Sequence, residues 1–72
     1  MSNALFLQED AFDYPVSFNG KLRFKLLLPL DMQAAEVENA VKTNPQSRKW
    51  IEGRQIKKVI FVPGKIINVV VG

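Results

Sequence analysis

Lys21, Arg23 and Lys25 alternate with Leu22, Phe24 and Leu26, and a second set of cations, Arg54, Lys57, Lys58 and Lys65, flanks the β-branched segments near the end of the chain. Alternate residues of a strand share a face about 7 Å apart, so the first three form a basic row able to bind phosphates by charge, without reading sequence. Other chemistry is poorly supplied. The chain has no Cys and no His, which removes disulfides, thiolate zinc ligands, the commonest metal ligand and the usual general base. An enzyme would need carboxylate or lysine chemistry from Asp13, Glu36, Glu38 or Glu52. Glu36 and Glu38 are two apart on a helical segment and point to different faces, so they do not converge as paired acids.

The charge is unevenly spread. Residues 1–20 carry Glu9, Asp10 and Asp13 without a cation, whereas residues 21–72 carry all ten basic residues against Asp31, Glu36, Glu38 and Glu52. The overall +3 therefore hides a distinctly basic folded portion, suited to a phosphate-bearing or acidic partner; a merely solubilising surface is the plainer alternative. With 72 residues the chain forms one domain, and a domain of this size buries only about 60% of its unfolded surface, too thin a core for a catalytic cleft. A hydrophobic content of 47% is that of an ordinary globular protein. No apolar run approaches the roughly 20 residues of a membrane span, and the start lacks the pattern of a secretory signal. The chain reads as soluble and intracellular.

These cations depend on the elements that carry them. Residues 1–4 read as an initiator plus cloning scar and residues 1–12 together as a linker-like arm, with the folded domain over residues 13–72. Phe12, Tyr14 and Val16 alternate with Asp13, Pro15 and Ser17, and Leu22, Phe24, Leu26 and Leu28 alternate with Lys21, Arg23 and Lys25, which predicts two strands of a hairpin around Asn19-Gly20. A two-residue loop would set Phe18 opposite Lys21 and mix the faces. A three-residue loop with Gly20 in the left-handed conformation instead pairs Val16 with Leu22 and Tyr14 with Phe24, leaving Lys21, Arg23 and Lys25 together on the other face.

Asp31 is expected to cap a helix running to about Thr43, with a narrow stripe of Gln33 or Ala34, then Val37, Ala40 and Val41, facing inward. Asn44-Pro45 opens a short second helix that ends before Gly53, with Trp50 and Ile51 inward and Trp50 a core anchor rather than a stacking platform. Lys42, Arg48 and Lys49 are assigned to solvated helix faces. Residues 56–62 and 65–71 form a second hairpin around Pro63-Gly64, whose types fit a type II turn. Both its faces are apolar, so its register stays open, as does the sheet order. The fold class is α+β: a ββααββ domain with two hairpins in one mainly antiparallel sheet and two helices on one face.

Tyr14-Pro15-Val16-Ser17-Phe18-Asn19-Gly20-Lys21-Leu22-Arg23, the Pro29-Leu30-Asp31 helix start, and the run Lys57-Lys58-Val59-Ile60-Phe61-Val62-Pro63-Gly64-Lys65-Ile66-Ile67-Asn68-Val69-Val70-Val71-Gly72 resemble the C-terminal domain of bacterial leucyl-tRNA synthetase. That resemblance implies a non-catalytic, cytoplasmic, monomeric appendage of a class I synthetase, which touches the outer corner of tRNA(Leu) where the D and T loops meet. It implies no cofactor here; the parent would use ATP, in domains absent from this segment. The expected tRNA-binding residues are Lys21, Arg23, Lys25, Arg54, Lys57, Lys58 and Lys65, with no metal and no membrane contact, and with the rest of the parent as second partner. A competing expectation is a protein-docking module that uses the apolar second hairpin. Salt dependence separates the two, being steep for phosphate binding and shallow for docking.

Overall fold

The computed structural model describes residues 10–72, and the reading of residues 1–9 as scar and arm lies outside the described residues. Strand β1 (Ala11–Phe18), which starts within the segment read as an arm, is followed by β2 (Lys21–Pro29), helix α1 (Ala34–Thr43), a 3₁₀ turn (Pro45–Ser47), α2 (Arg48–Ile51), β3 (Ile56–Val62) and β4 (Ile66–Val71). The expected ββααββ order is present. The hairpins make a single sheet in the order β2-β1-β4-β3. Each hairpin is antiparallel, but they join through a parallel pairing of β1 with β4, Val16 to Ile67, Ser17 to Asn68 and Phe18 to Val69, so the sheet is mixed.

The central strands carry the core. Tyr14 and Val16 of β1, Ile67 and Val69 of β4, and Val37 and Val41 of α1 are completely buried together. The stripe foreseen on α1 covers the sheet through Val37 and Val41, with Ala40 half-buried, whereas Gln33 and Ala34, at the exposed start of the helix, stay outside it. Strand alternation puts Val59, Phe61, Ile67, Val69 and Val71 on this inner face, because the second hairpin pairs Val62 with Ile66 across a three-residue loop. Its turn is the expected type II, with Gly64 at φ 69° and the Lys65 N–H donating to the Val62 carbonyl at 3.0 Å. Tyr14 spans the core, and its hydroxyl accepts from the Gly64 N–H at 2.8 Å.

Two local expectations need correction. Asp31 does not cap α1: it sits in a turn closed by the Met32 N–H on the Pro29 carbonyl, and Gln33 is the cap, its N–H held at 3.0 Å by the Glu36 carboxylate. The first loop has two residues, not three. Asn19 (φ 53°) and Gly20 (φ 84°) are both left-handed, as a type I′ turn requires, and Phe18 faces Lys21. The phase conflict is real but is resolved one step later: Ser17 pairs with Leu22 and Val16 with Phe24, leaving Arg23 as the extra residue of a β-bulge.

Asn19 also ties this loop to β4. Its side-chain oxygen accepts from the Val71 N–H at 2.9 Å, its amide donates to the Val71 carbonyl at 3.2 Å, and its backbone N–H donates to the Val69 carbonyl at 2.8 Å. Asn19→Ala removes two hydrogen bonds and puts a less tolerant residue at positive φ, so it should cost about 2–3 kcal/mol in chemical denaturation. A cost below about 0.5 kcal/mol would reject the tie. Ser47 gives the opposite expectation. It is fully buried with an unpartnered hydroxyl, so Ser47→Ala should raise stability by about 1 kcal/mol; a loss would mean that the hydroxyl bonds in solution.

Candidate nucleic-acid interface

The bulge decides where the cations go. Lys21, opposite Phe18, stands on the helix-covered side of the sheet, and the guanidinium carbon of Arg23 lies 4.2 Å from the centroid of the Trp50 ring. The Lys49 amine sits 5.3 Å from the same centroid. Trp50 is half-buried and leans on Phe18, ring centroids 6.3 Å apart at 30°, so it joins the core to the two cations. Arg54 arrives from the far side of α2. Gly53 at φ 76° reverses the chain, the Arg54 N–H donates to the Ile51 carbonyl at 2.8 Å, and Gln55 and Gly72 exchange two backbone hydrogen bonds at 3.1 and 3.0 Å.

Phe18, Asn19, Lys21, Arg23, Trp50, Arg54 and Val71 thus line a cleft of about 220 Å³ at the loop end of the sheet. Three of these residues are cations and none is a carboxylate. A guanidinium held over an aromatic face has five N–H donors, and its fork suits the bidentate geometry that carboxylates and phosphates accept. A second, larger concavity lies by Lys42, Thr43, Asn44, Arg48, Ile51 and Glu52, where an acid offsets the two cations. Among the described residues no three His, Cys, Asp or Glu side chains are placed to hold a metal ion, and no helix is long and apolar enough to cross a membrane.

The expected basic row is divided by this geometry. Lys21, Arg23 and Arg54 come together, whereas Lys25, paired with Pro15, and Lys58, paired with Val70, stand on the uncovered face of the sheet. The physical reason is the bulge at Arg23, which moves the phase change into the strand and separates residues 21 and 23 from residue 25. Lys57 is unpaired in a second bulge between Ile56 and Lys58, at the cleft's end of the sheet but outside its lining. Lys65 belongs to the other end, beyond the six residues of β4 and so about 20 Å from Val71.

The sequence assigns Trp50 to the core and Lys49 to a solvated helix face. Trp50 does pack on the core, but both residues also meet at the cation–π contact. The signal available was the run Arg48-Lys49-Trp50 at the end of a short helix, ahead of a glycine that turns the chain back.

No family model matches the chain. It is 54% identical over 69 residues to the leucine–tRNA ligase of Porphyromonas gingivalis, covering 96% of this chain and 8% of that protein. With the leucine–tRNA ligase of Cytophaga hutchinsonii it shares 55% identity over 65 residues, 90% of this chain and 7% of that one. The solved ternary complex of Agrobacterium radiobacter K84 LeuRS with tRNA and LeuAMS matches with a TM-score of 0.83 at 32% identity, covering 90% of this chain and 8% of that chain. The chain therefore spans less than a tenth of these relatives' length.

The stacked pair is directly observable because Trp50 is the sole tryptophan. Arg23→Gln should shift the Trp50 emission of the folded protein while changing stability by less than about 1 kcal/mol, since an exposed cation–π contact contributes about 0.5–1 kcal/mol. Unchanged emission would show that the two groups do not stack in solution.

Proposed function

Because the chain belongs to the leucine–tRNA ligase family over the segment it spans, we propose that it is a non-catalytic tRNA-binding appendage of such a ligase. It engages tRNA(Leu) at the corner formed by the D and T loops, in the cytoplasm, as part of an enzyme whose ATP-dependent chemistry resides in other domains. The observation that carries this reading is the convergence of Lys21, Arg23 and Arg54 on a cleft without a carboxylate, in a chain homologous to leucine–tRNA ligases. A tRNA also accompanies the LeuRS of the solved complex.

Phosphate binding by lysine and arginine releases counterions and falls steeply with salt. Lys57, at the cleft's end of the sheet, adds diffuse attraction beside it, whereas Lys25 and Lys58 stand on the other face and Lys65 about 20 Å away. The module binds weakly alone; tethered to a body that already holds the tRNA, it acts through effective concentration.

A second reading, docking onto protein, has its own observation. Leu22, Leu27, Ile60, Val62 and Ile66 are each more than a third exposed, and alternation places them on the sheet face opposite the helices. An apolar face of this kind fits contact with the remainder of a parent enzyme.

A titration with total tRNA at 50 and 200 mM salt separates the readings. RNA binding predicts a loss of about tenfold or more between the two conditions, whereas docking alone predicts no saturable binding. In a ligase that carries this segment, its removal should depress tRNA charging and leave leucine activation with ATP intact. Loss of activation as well would contradict the appendage role.

A further inference from the structure

We infer that the cleft beside Trp50 seats a phosphodiester of the RNA backbone, and that Trp50 is a positioning residue which holds Arg23 ready for it. This deepens the tRNA-binding reading and rests on it.

Three observations converge. First, the cations come from three separate places, the hairpin end (Lys21), the bulge (Arg23) and the segment after α2 (Arg54), and no acid among the lining residues balances them. Like charges gathered in this way repel one another, and an anion between them removes the repulsion. Second, the cleft is built from fixed parts. Asn19 is bonded to Val69 and Val71, the Gly20 N–H donates to the Asn68 side chain at 3.2 Å, and the Arg23 guanidinium rests on Trp50 at 4.2 Å. An arginine already placed loses less rotamer freedom on binding than a free one. Third, the shape suits a backbone group. At about 220 Å³ and open on one side, the cleft is smaller than the roughly 300–1,000 Å³ of pockets that enclose whole small molecules, which fits a phosphate seated in it while the rest of the RNA lies outside. The larger concavity by Lys42 and Arg48 fails the charge criterion because Glu52 lines it.

Unfractionated tRNA is the probe. Its affinity for the 72-residue chain is read by anisotropy of labelled tRNA over a salt series, and the cleft by Trp50 emission. Lys21→Gln, Arg23→Gln and Arg54→Gln combined should lower affinity about 100-fold at 0.1 M salt and reduce the log–log salt slope by two to three units. Lys42→Gln with Arg48→Gln should change affinity by less than about threefold. In the unsubstituted chain, Trp50 emission should move saturably with bound tRNA. All three cleft cations are exposed, so single substitutions give the same test if the triple variant does not fold.

Positioning is tested by Trp50→Phe and Trp50→Leu. Phe keeps an aromatic face and should retain most of the affinity, Leu should fall to the level of Arg23→Gln, and adding Arg23→Gln to Trp50→Leu should cost nothing more. If Leu binds as well as Phe, Trp50 does not position Arg23. If tRNA binds with salt dependence but Lys25→Gln with Lys58→Gln carries the larger loss and Trp50 emission stays still, the cleft is not the phosphate seat, though RNA binding stands. If the unsubstituted chain shows no saturable, salt-dependent binding, the reading beneath the inference falls with it.

Discussion

The parallel join between β1 and β4 is the constraint on which the rest of the molecule depends. A lone hairpin is marginal in water, and this sheet has two of them held side by side by only three paired positions, Val16, Ser17 and Phe18 against Ile67, Asn68 and Val69. Polar ties secure the join at both ends. At one end the Asn19 side chain imitates a peptide group, giving and accepting a hydrogen bond with Val71 as a further strand residue would. At the other, the Tyr14 hydroxyl takes the Gly64 N–H from within the apolar core. Between these ties lies the fully buried cluster on which α1 rests, and the position of α2, and hence of Trp50, follows from it.

Much of this was legible in the chain. Each strand, the inward Val37 and Val41 of α1, the Asn44 cap, whose side-chain oxygen accepts from the Gln46 N–H at 2.8 Å, and the type II turn at Pro63-Gly64 follow from local residue types, because each is decided within a few positions. The phase conflict at Asn19-Gly20 was legible too, but its resolution was not. An extra residue restores the alternation whether it enters in the loop or at Arg23, and only pairing across the sheet distinguishes the two. The same limit applies to the site. Lys21 and Arg23 were recognisable as phosphate ligands by type, whereas their separation from Lys25 depends on the bulge in the pairing of β1 with β2, and their meeting with Trp50 and Arg54 on contacts between distant segments of the chain.

The two faces of the sheet have different characters. On the covered side, cations gather at one end around an aromatic ring held by the core. On the uncovered side, Leu22, Leu27, Ile60, Val62 and Ile66 form an apolar surface edged by Lys25 and Lys58. The bulge creates this division, since it turns Arg23 toward the helices and leaves Leu22 facing out. A charged ligand and an apolar one can therefore be held at once without competing.

The place of β4 in the sheet also bears on how the protein is made. The strand lies between β1 and β3, and the residues it bonds, such as Asn19 and Val71, are 52 positions apart. Until Ile66–Val71 has left the ribosome, the inner edge of β1 lacks its neighbour and Tyr14 lacks the Gly64 N–H. The sheet is therefore complete only once this strand is in place, and pairings so distant in the chain are slow to form. Until then Val16 and Phe18 lack the Ile67 and Val69 that lie beside them in the folded sheet, and their apolar side chains stay open to the solvent.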